Sequence, residues 1–148
     1  MGVKNLFDPA VKQEIITRIN RLNPQSQRQW GKMDVAQMLA HCQMPLGVAI
    51  GKHKLKAQFF LKLIGPLFKK KLFDEKPFKQ GLPTDKSFKM TTPKEFEREK
   101  QNLVLMVNEF SETSMSEAPH PFFGKLTKEQ WSQGTWKHLD HHLRQFGA

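Results

Sequence analysis

Four stretches of the chain repeat their apolar residues at helical spacing and open on helix-start signals, while no window alternates apolar and polar residues with period two. That pattern confines the chain to an all-α fold. In the first stretch Asp8 stands where an N-cap belongs. Pro9 follows at the first helical position, where its missing N–H is harmless. Val11, Ile15, Ile19 and Leu22 then share one face, and Asn23-Pro24 ends the run. The second begins at Asp34 with Gln37 three residues on, a capping box, and Met33 is placed to staple onto Met38. Val35, Met38, Leu39, Cys42 and Leu46 form its apolar stripe. The third starts at Thr92-Pro93-Lys94-Glu95 and points Phe96, Leu103, Val107 and Phe110 inward over about five turns. The fourth opens on the box Thr127–Gln130 and runs through Trp131 to Phe146.

A single domain over residues 1–148 suits this length, which supports one core. Between the second and third helices lies a long basic crossover. From Lys52 to Lys89 eleven Lys face Asp74, Glu75 and Asp85, a local balance of +8 out of +10 for the chain. Leu55, Phe59, Leu63 and Leu67 predict an extra helix there, interrupted or ended near Gly65-Pro66, and Leu55–Leu67 is a candidate homodimer surface. The stretch after Leu72 is rich in Pro, Gly and Lys and reads as irregular. A crossover this long allows a bundle other than a simple chain of hairpins.

No apolar run is long enough to span a bilayer, and the N-terminus lacks the apolar core of a secretory signal. Leu6 occupies the place where myristoylation needs Ser or Thr. The single Cys42 can form neither an internal disulfide nor a thiolate-rich zinc site. A cytoplasmic protein is the expectation.

The chemistry sits in the histidines. KHLDHHLRQF sets His138 and His142 four residues apart, one turn apart on one face. Trp131, Thr135, His138, His142 and Gln145 make one stripe beside the apolar face of Trp136, Leu139, Leu143 and Phe146. His41 shares its face with Met38, Cys42 and Pro45, and Pro45 removes the N–H that would bond the His41 carbonyl. Three inward imidazoles from two helices suit a borderline cation with a position left open for water or substrate. Without a cation, three buried rings would each need a hydrogen-bond partner, so spacing alone leaves both readings open. His141 lies about 100° round the helix from His142, facing solvent or supporting the ligands from behind. His53 reads as surface, and Asp140 either orients a histidine or is an exposed carboxylate. Leu139 stands where the metalloprotease helix signature has its Glu, so peptidase chemistry of that type is not expected. Cys42 faces away from His41, against a Cys-His nucleophile pair.

Trp30-Gly31-Lys32-Met33 leading into Met38-Leu39-Ala40-His41, the block HPFFGKLT from His120 to Thr127, and the terminal W…KHLDHHLRQF together resemble the DinB/YfiT-like superfamily of metal-dependent proteins. The similarity is to a bacterial branch of unknown function. It covers most of the chain from Trp30 onward, with the basic crossover the part least like it. The resemblance implies a four-helix bundle whose three metal ligands fall on His41, His138 and His142, and whose metal is a divalent ion such as zinc or nickel. It also implies a small-molecule substrate, since some relatives are transferases or isomerases that use a low-molecular-weight thiol.

Two functional readings follow. In the first the chain is a metal-dependent enzyme, a thiol-dependent transferase or a hydrolase. Its ion would lower the pKa of a bound water or thiol, and Gln145 and His120 would be orienting groups. His120 has a second reading as part of a rigid Pro-flanked turn. In the other, the chain is a binding module that offers its Lys-rich segment 52–89 to nucleic acid or an anionic surface. The absence of Arg from that segment argues against nucleic acid, since Arg is the side chain that grips phosphate in a bidentate fork.

Overall fold

In the computed structural model, residues 3–54, 65, 69–81 and 88–148 are described. Among them the regular structure is helical: α1 (Pro9–Arg21), α2 (Val35–Ala49), α3 (Phe96–Glu109) and α4 (Lys128–Gln145), with residues 69–73 also helical. The sole β-type pairing among these residues is an isolated bridge between His120 and Gly124. No described helix is long and apolar enough to cross a membrane.

The helix starts follow from local chemistry. Asp8 Oδ1 accepts from the Ala10 N–H at 2.8 Å, satisfying one of the free donors at the α1 terminus. Asp34 and Gln37 form a reciprocal box, with Asp34 Oδ1 accepting the Gln37 N–H at 2.8 Å and Gln37 Oε1 accepting the Asp34 N–H at 2.9 Å. Thr127 and Gln130 repeat it for α4 at 3.1 and 3.0 Å.

The start of α3 differs from expectation. Its N-cap is Glu95, which makes no side-chain cap bond, so Thr92-Pro93 precedes the helix rather than opening it. The Thr92 carbonyl is instead used by Gln37, whose Nε2 donates to it at 3.1 Å and so ties the entry of α3 to the first turn of α2.

The core lies where the apolar stripes meet. α2 packs along α3 and against α4, and α1 bridges α3 and α4. Ile15, Ile19, Met38, Leu39, Leu46, Leu103, Val107, Phe110, Leu139 and Leu143 are each at most 1 % exposed. Burial of a Leu or Ile side chain to this degree contributes about 1.5–3 kcal/mol. Leu6 joins them, fully buried ahead of α1.

Leu55, Phe59, Leu63 and Leu67, with the helix and dimer surface expected of them, fall outside the described residues. What is described of the crossover is tied down. Gly134 lets Leu72 approach α4, since a Cβ there would stand 3.2 Å from Leu72 Cδ2. Lys137, 3 % exposed, donates to the Lys71 carbonyl at 2.7 Å, the Asp74 carbonyl at 2.9 Å and Asp74 Oδ1 at 2.8 Å.

Candidate metal centre

The packing of α2 against α4 brings His41, His138 and His142 to one point. Nε2 of His41 lies 3.1 Å from Nε2 of His138 and 3.0 Å from Nε2 of His142. Two of the rings are deeply buried, His41 at 3 % and His142 at 9 % exposure, and His138 is partly buried. Among the described residues these three form the one group of His, Cys, Asp and Glu side chains able to hold a metal ion.

The proton positions make the cluster informative. Nδ1 of His41 is 2.8 Å from the Phe88 carbonyl, which can only accept, so the ring carries its proton on Nδ1 and its Nε2 is a bare lone pair. Nδ1 of His142 is 2.8 Å from Gln145 Oε1. The orientation of that amide is set because Gln145 Nε2 donates to the Trp30 carbonyl at 2.8 Å. His142 therefore also presents a lone pair on Nε2. Two lone pairs 3.0 Å apart repel unless a proton or a metal ion stands between them.

A proton is the poorer occupant. Burial pushes the His142 pKa down to about 3, with the neighbouring His41 adding to the effect. Burial holds His41 below its ordinary value against the Phe88 carbonyl, which favours the charged form. His138 is held well below it, first by burial and then by its histidine neighbours. The nitrogen separations suit a divalent ion. With metal–nitrogen bonds of about 2.0–2.1 Å, tetrahedral ligands stand roughly 3.3 Å apart and adjacent octahedral ligands roughly 2.9 Å apart.

The supporting groups come from loops that carry no obvious sequence signal. The backbone carbonyls of Phe88 and Trp30 fix the outer faces of the site, and a carbonyl can be supplied by any residue. Gly31 has a visible reason. It takes φ +83°, and a Cβ there would lie 2.5 Å from Gln145 Nε2, so only glycine lets that amide reach the Trp30 carbonyl. His141 is half-buried rather than solvent-facing. Its ring lies 5.0 Å from His142, 5.5 Å from Trp30 and 5.9 Å from Phe78. Asp140 is no exposed carboxylate. It is 6 % exposed, held by Arg18 at 2.8 Å and Arg144 at 2.9 Å. Cys42 is buried with its thiol on Met38 Sδ at 3.6 Å, and burial pushes its pKa up, so it is no nucleophile. His53 is exposed, its ring over Gly47.

A cavity of about 690 Å³ opens beside the cluster, lined by Trp30, His41, Phe78, Phe88, His120, Phe122, Phe123, Trp131, Thr135, His138, His141, His142 and Gln145 among others. His120 belongs both to this wall and to a tight turn. Its backbone pairs with Gly124, and its Nδ1 accepts the N–H groups of Phe122 at 3.0 Å and Phe123 at 3.2 Å. Burial lowers its pKa to about 4. The ring is therefore neutral with its proton on Nε2.

Helices and a convergent histidine triad at a cavity characterise the described residues, and the family follows from comparison. Residues 7–148 match the family described as a protein of unknown function, DUF1569, and the chain belongs to it. No curated protein and no solved structure matches the chain.

Proposed function

We propose that this chain is a metal-dependent enzyme acting on a small molecule, a thiol-dependent transferase or a hydrolase. In this reading it is a DinB-like four-helix bundle with a divalent ion, zinc or nickel, held by His41, His138 and His142. The observation that carries the reading is the meeting of Nε2 atoms 3.0 and 3.1 Å apart, two of them with their protons committed elsewhere. A divalent ion bound there would act as a Lewis acid and lower the pKa of a water or thiol in its open position. Three protein ligands without a fourth among the described residues correspond to a catalytic rather than a structural site.

The protein's own part is positional. The Phe88 carbonyl and Gln145 hold two imidazoles in the tautomer that leaves Nε2 free, and such supporting bonds raise ligand basicity. The cavity wall is largely aromatic, and Nε2–H of His120 is a donor for a substrate acceptor.

Protein purified without a histidine tag should take up close to one equivalent of zinc or nickel by calorimetry. Its metal-loaded form should transfer a thiol to an electrophilic acceptor or hydrolyse an aryl ester, whereas the His142→Ala variant should do neither. Refusal of zinc, nickel and manganese alike by the metal-free protein would overturn the proposal.

A further inference from the structure

We infer that the cavity receives a small organic anion with an apolar body, its charged end toward the imidazole cluster and its body against the aromatic walls. This deepens the metal-enzyme reading by naming a ligand class, and its charge argument has a part that stands without the ion.

The first observation is the charge inventory. Among the described residues the cavity lining carries Lys32 and Lys89 at its exposed rim and no Asp or Glu. Asp140, next to His141 in the chain, does not line the cavity and has its charge matched by Arg18 and Arg144. Three neutral imidazoles leave the charge of a divalent ion uncompensated, unlike carboxylate ligands, so an anionic ligand would complete the site. With or without the ion, the described lining holds positive charge only, and concave low-dielectric walls concentrate that potential.

The second observation is the shape and polarity of the wall. Trp30, Phe78, Phe88, Phe122, Phe123 and Trp131 supply flat apolar faces around about 690 Å³, a volume within the usual small-molecule range of roughly 300–1,000 Å³. The polar groups favour an acceptor-bearing guest. His120 has spent Nδ1 on two backbone donors and keeps only an Nε2–H. Gln145 has spent both ends of its amide on His142 and Trp30. Among the described lining residues a cationic guest would find two lysines and no carboxylate.

The test uses a matched pair of probes, 1-naphthoate and its neutral isostere 1-naphthamide, titrated calorimetrically into zinc-treated and chelator-treated full-length protein. Naphthoate should bind at least ten-fold tighter than naphthamide to the zinc-treated protein. The double variant Lys32→Glu/Lys89→Glu should lose several-fold in naphthoate affinity and little in naphthamide affinity. Equal affinities for the two probes, or binding of neither, would overturn the inference. The two readings separate cleanly. Protein that takes no zinc yet prefers naphthoate removes the metal and keeps the anion site. Protein that takes zinc and ignores the charge of the probe does the reverse.

Discussion

Nδ1 of His142 and Oε1 of Gln145 stand 2.8 Å apart, three residues apart on the last helix, and the other end of the same amide is bonded to the Trp30 carbonyl. A loop before α2 thus dictates which nitrogen of a histidine on α4 is free. Gln145→Ala removes that control while leaving all three imidazoles in place. Zinc affinity should fall about 10–100-fold, as is usual when an outer partner of a ligand is lost. Competition against a chromophoric chelator measures it. An unchanged affinity would show that packing alone orients the ring.

Loss of any one ligand should have a larger effect than loss of its support. His41→Ala, His138→Ala and His142→Ala should each bring zinc binding down to the level of adventitious surface sites. They should also abolish zinc-dependent thermal stabilisation, which for the parent protein amounts to about 2.7 kcal/mol at a free concentration 100 times Kd. Differential scanning calorimetry with and without zinc gives both. Three variants that still gain stability from the ion would place the ion elsewhere.

The buried histidines make the metal-free protein acid-sensitive. Burial takes His142 to about 3 and His120 to about 4, below the unfolded value of 6.5. Between those limits the unfolded chain binds protons that the folded chain refuses. Stability is therefore fully present above about pH 6.5 and declines as pH falls toward the folded values. With each kcal/mol worth roughly 2–4 °C at this chain length, the Tm should drop by several degrees from about pH 7 to about pH 5. Thermal melts across that range in the presence of a chelator check the sign. A Tm that rises on acidification would contradict it.

The helix starts and the His138–His142 pair were legible because both rest on local rules, whereas His41 joins them only through the packing of α2 against α4. A box such as Asp34–Gln37 acts within four residues, and His138 with His142 share a face by helical geometry whatever surrounds them. Three features escaped for the opposite reason. The Thr92-Pro93 signature predicted a start three residues early: α3 begins after Glu95, and the Thr92 carbonyl accepts from Gln37 across the bundle. Asp140 is a residue type common at the surface, and its meeting with Arg18, more than a hundred residues away, is a contact no local pattern announces. The Phe88 and Trp30 carbonyls belong to the backbone, and no residue type announces them.

Gly31 is the local signal that a sequence reader can now look for. Its φ of +83° is disfavoured for any L side chain, and a Cβ would press on Gln145 Nε2 at 2.5 Å. Gly31→Ala should destabilise the protein by about 1–3 kcal/mol through the strained backbone alone. It should also weaken zinc binding, because the Gln145 amide must move from the Trp30 carbonyl. Denaturant melts and chelator competition on one preparation separate the two effects. A loss of stability with zinc affinity intact would mean that Gln145 keeps its hold on His142 without Trp30.

Lys137 offers the converse case, a buried charge remote in role from the ion. Its ammonium group bonds the Lys71 and Asp74 carbonyls and the Asp74 carboxylate, and it lies 4.8 Å from the centre of the Phe78 ring. Phe78 in turn faces His141 across 5.9 Å, so this one cation pins the crossover against the wall of the cavity. Lys137→Met preserves most of the stem's packing and leaves those acceptors to find water. Because the side chain of Asp74 is 39 % exposed, part of the loss is recovered by hydration, and the net destabilisation should be about 1–3 kcal/mol. Proteolysis should then cut faster within 71–81, while zinc still binds with unchanged stoichiometry because the variant touches none of the three imidazoles. If zinc binding vanished together with the clamp, residues 71–78 would have to be counted, with the Phe88 carbonyl, among the supports of the metal site rather than only as cavity wall.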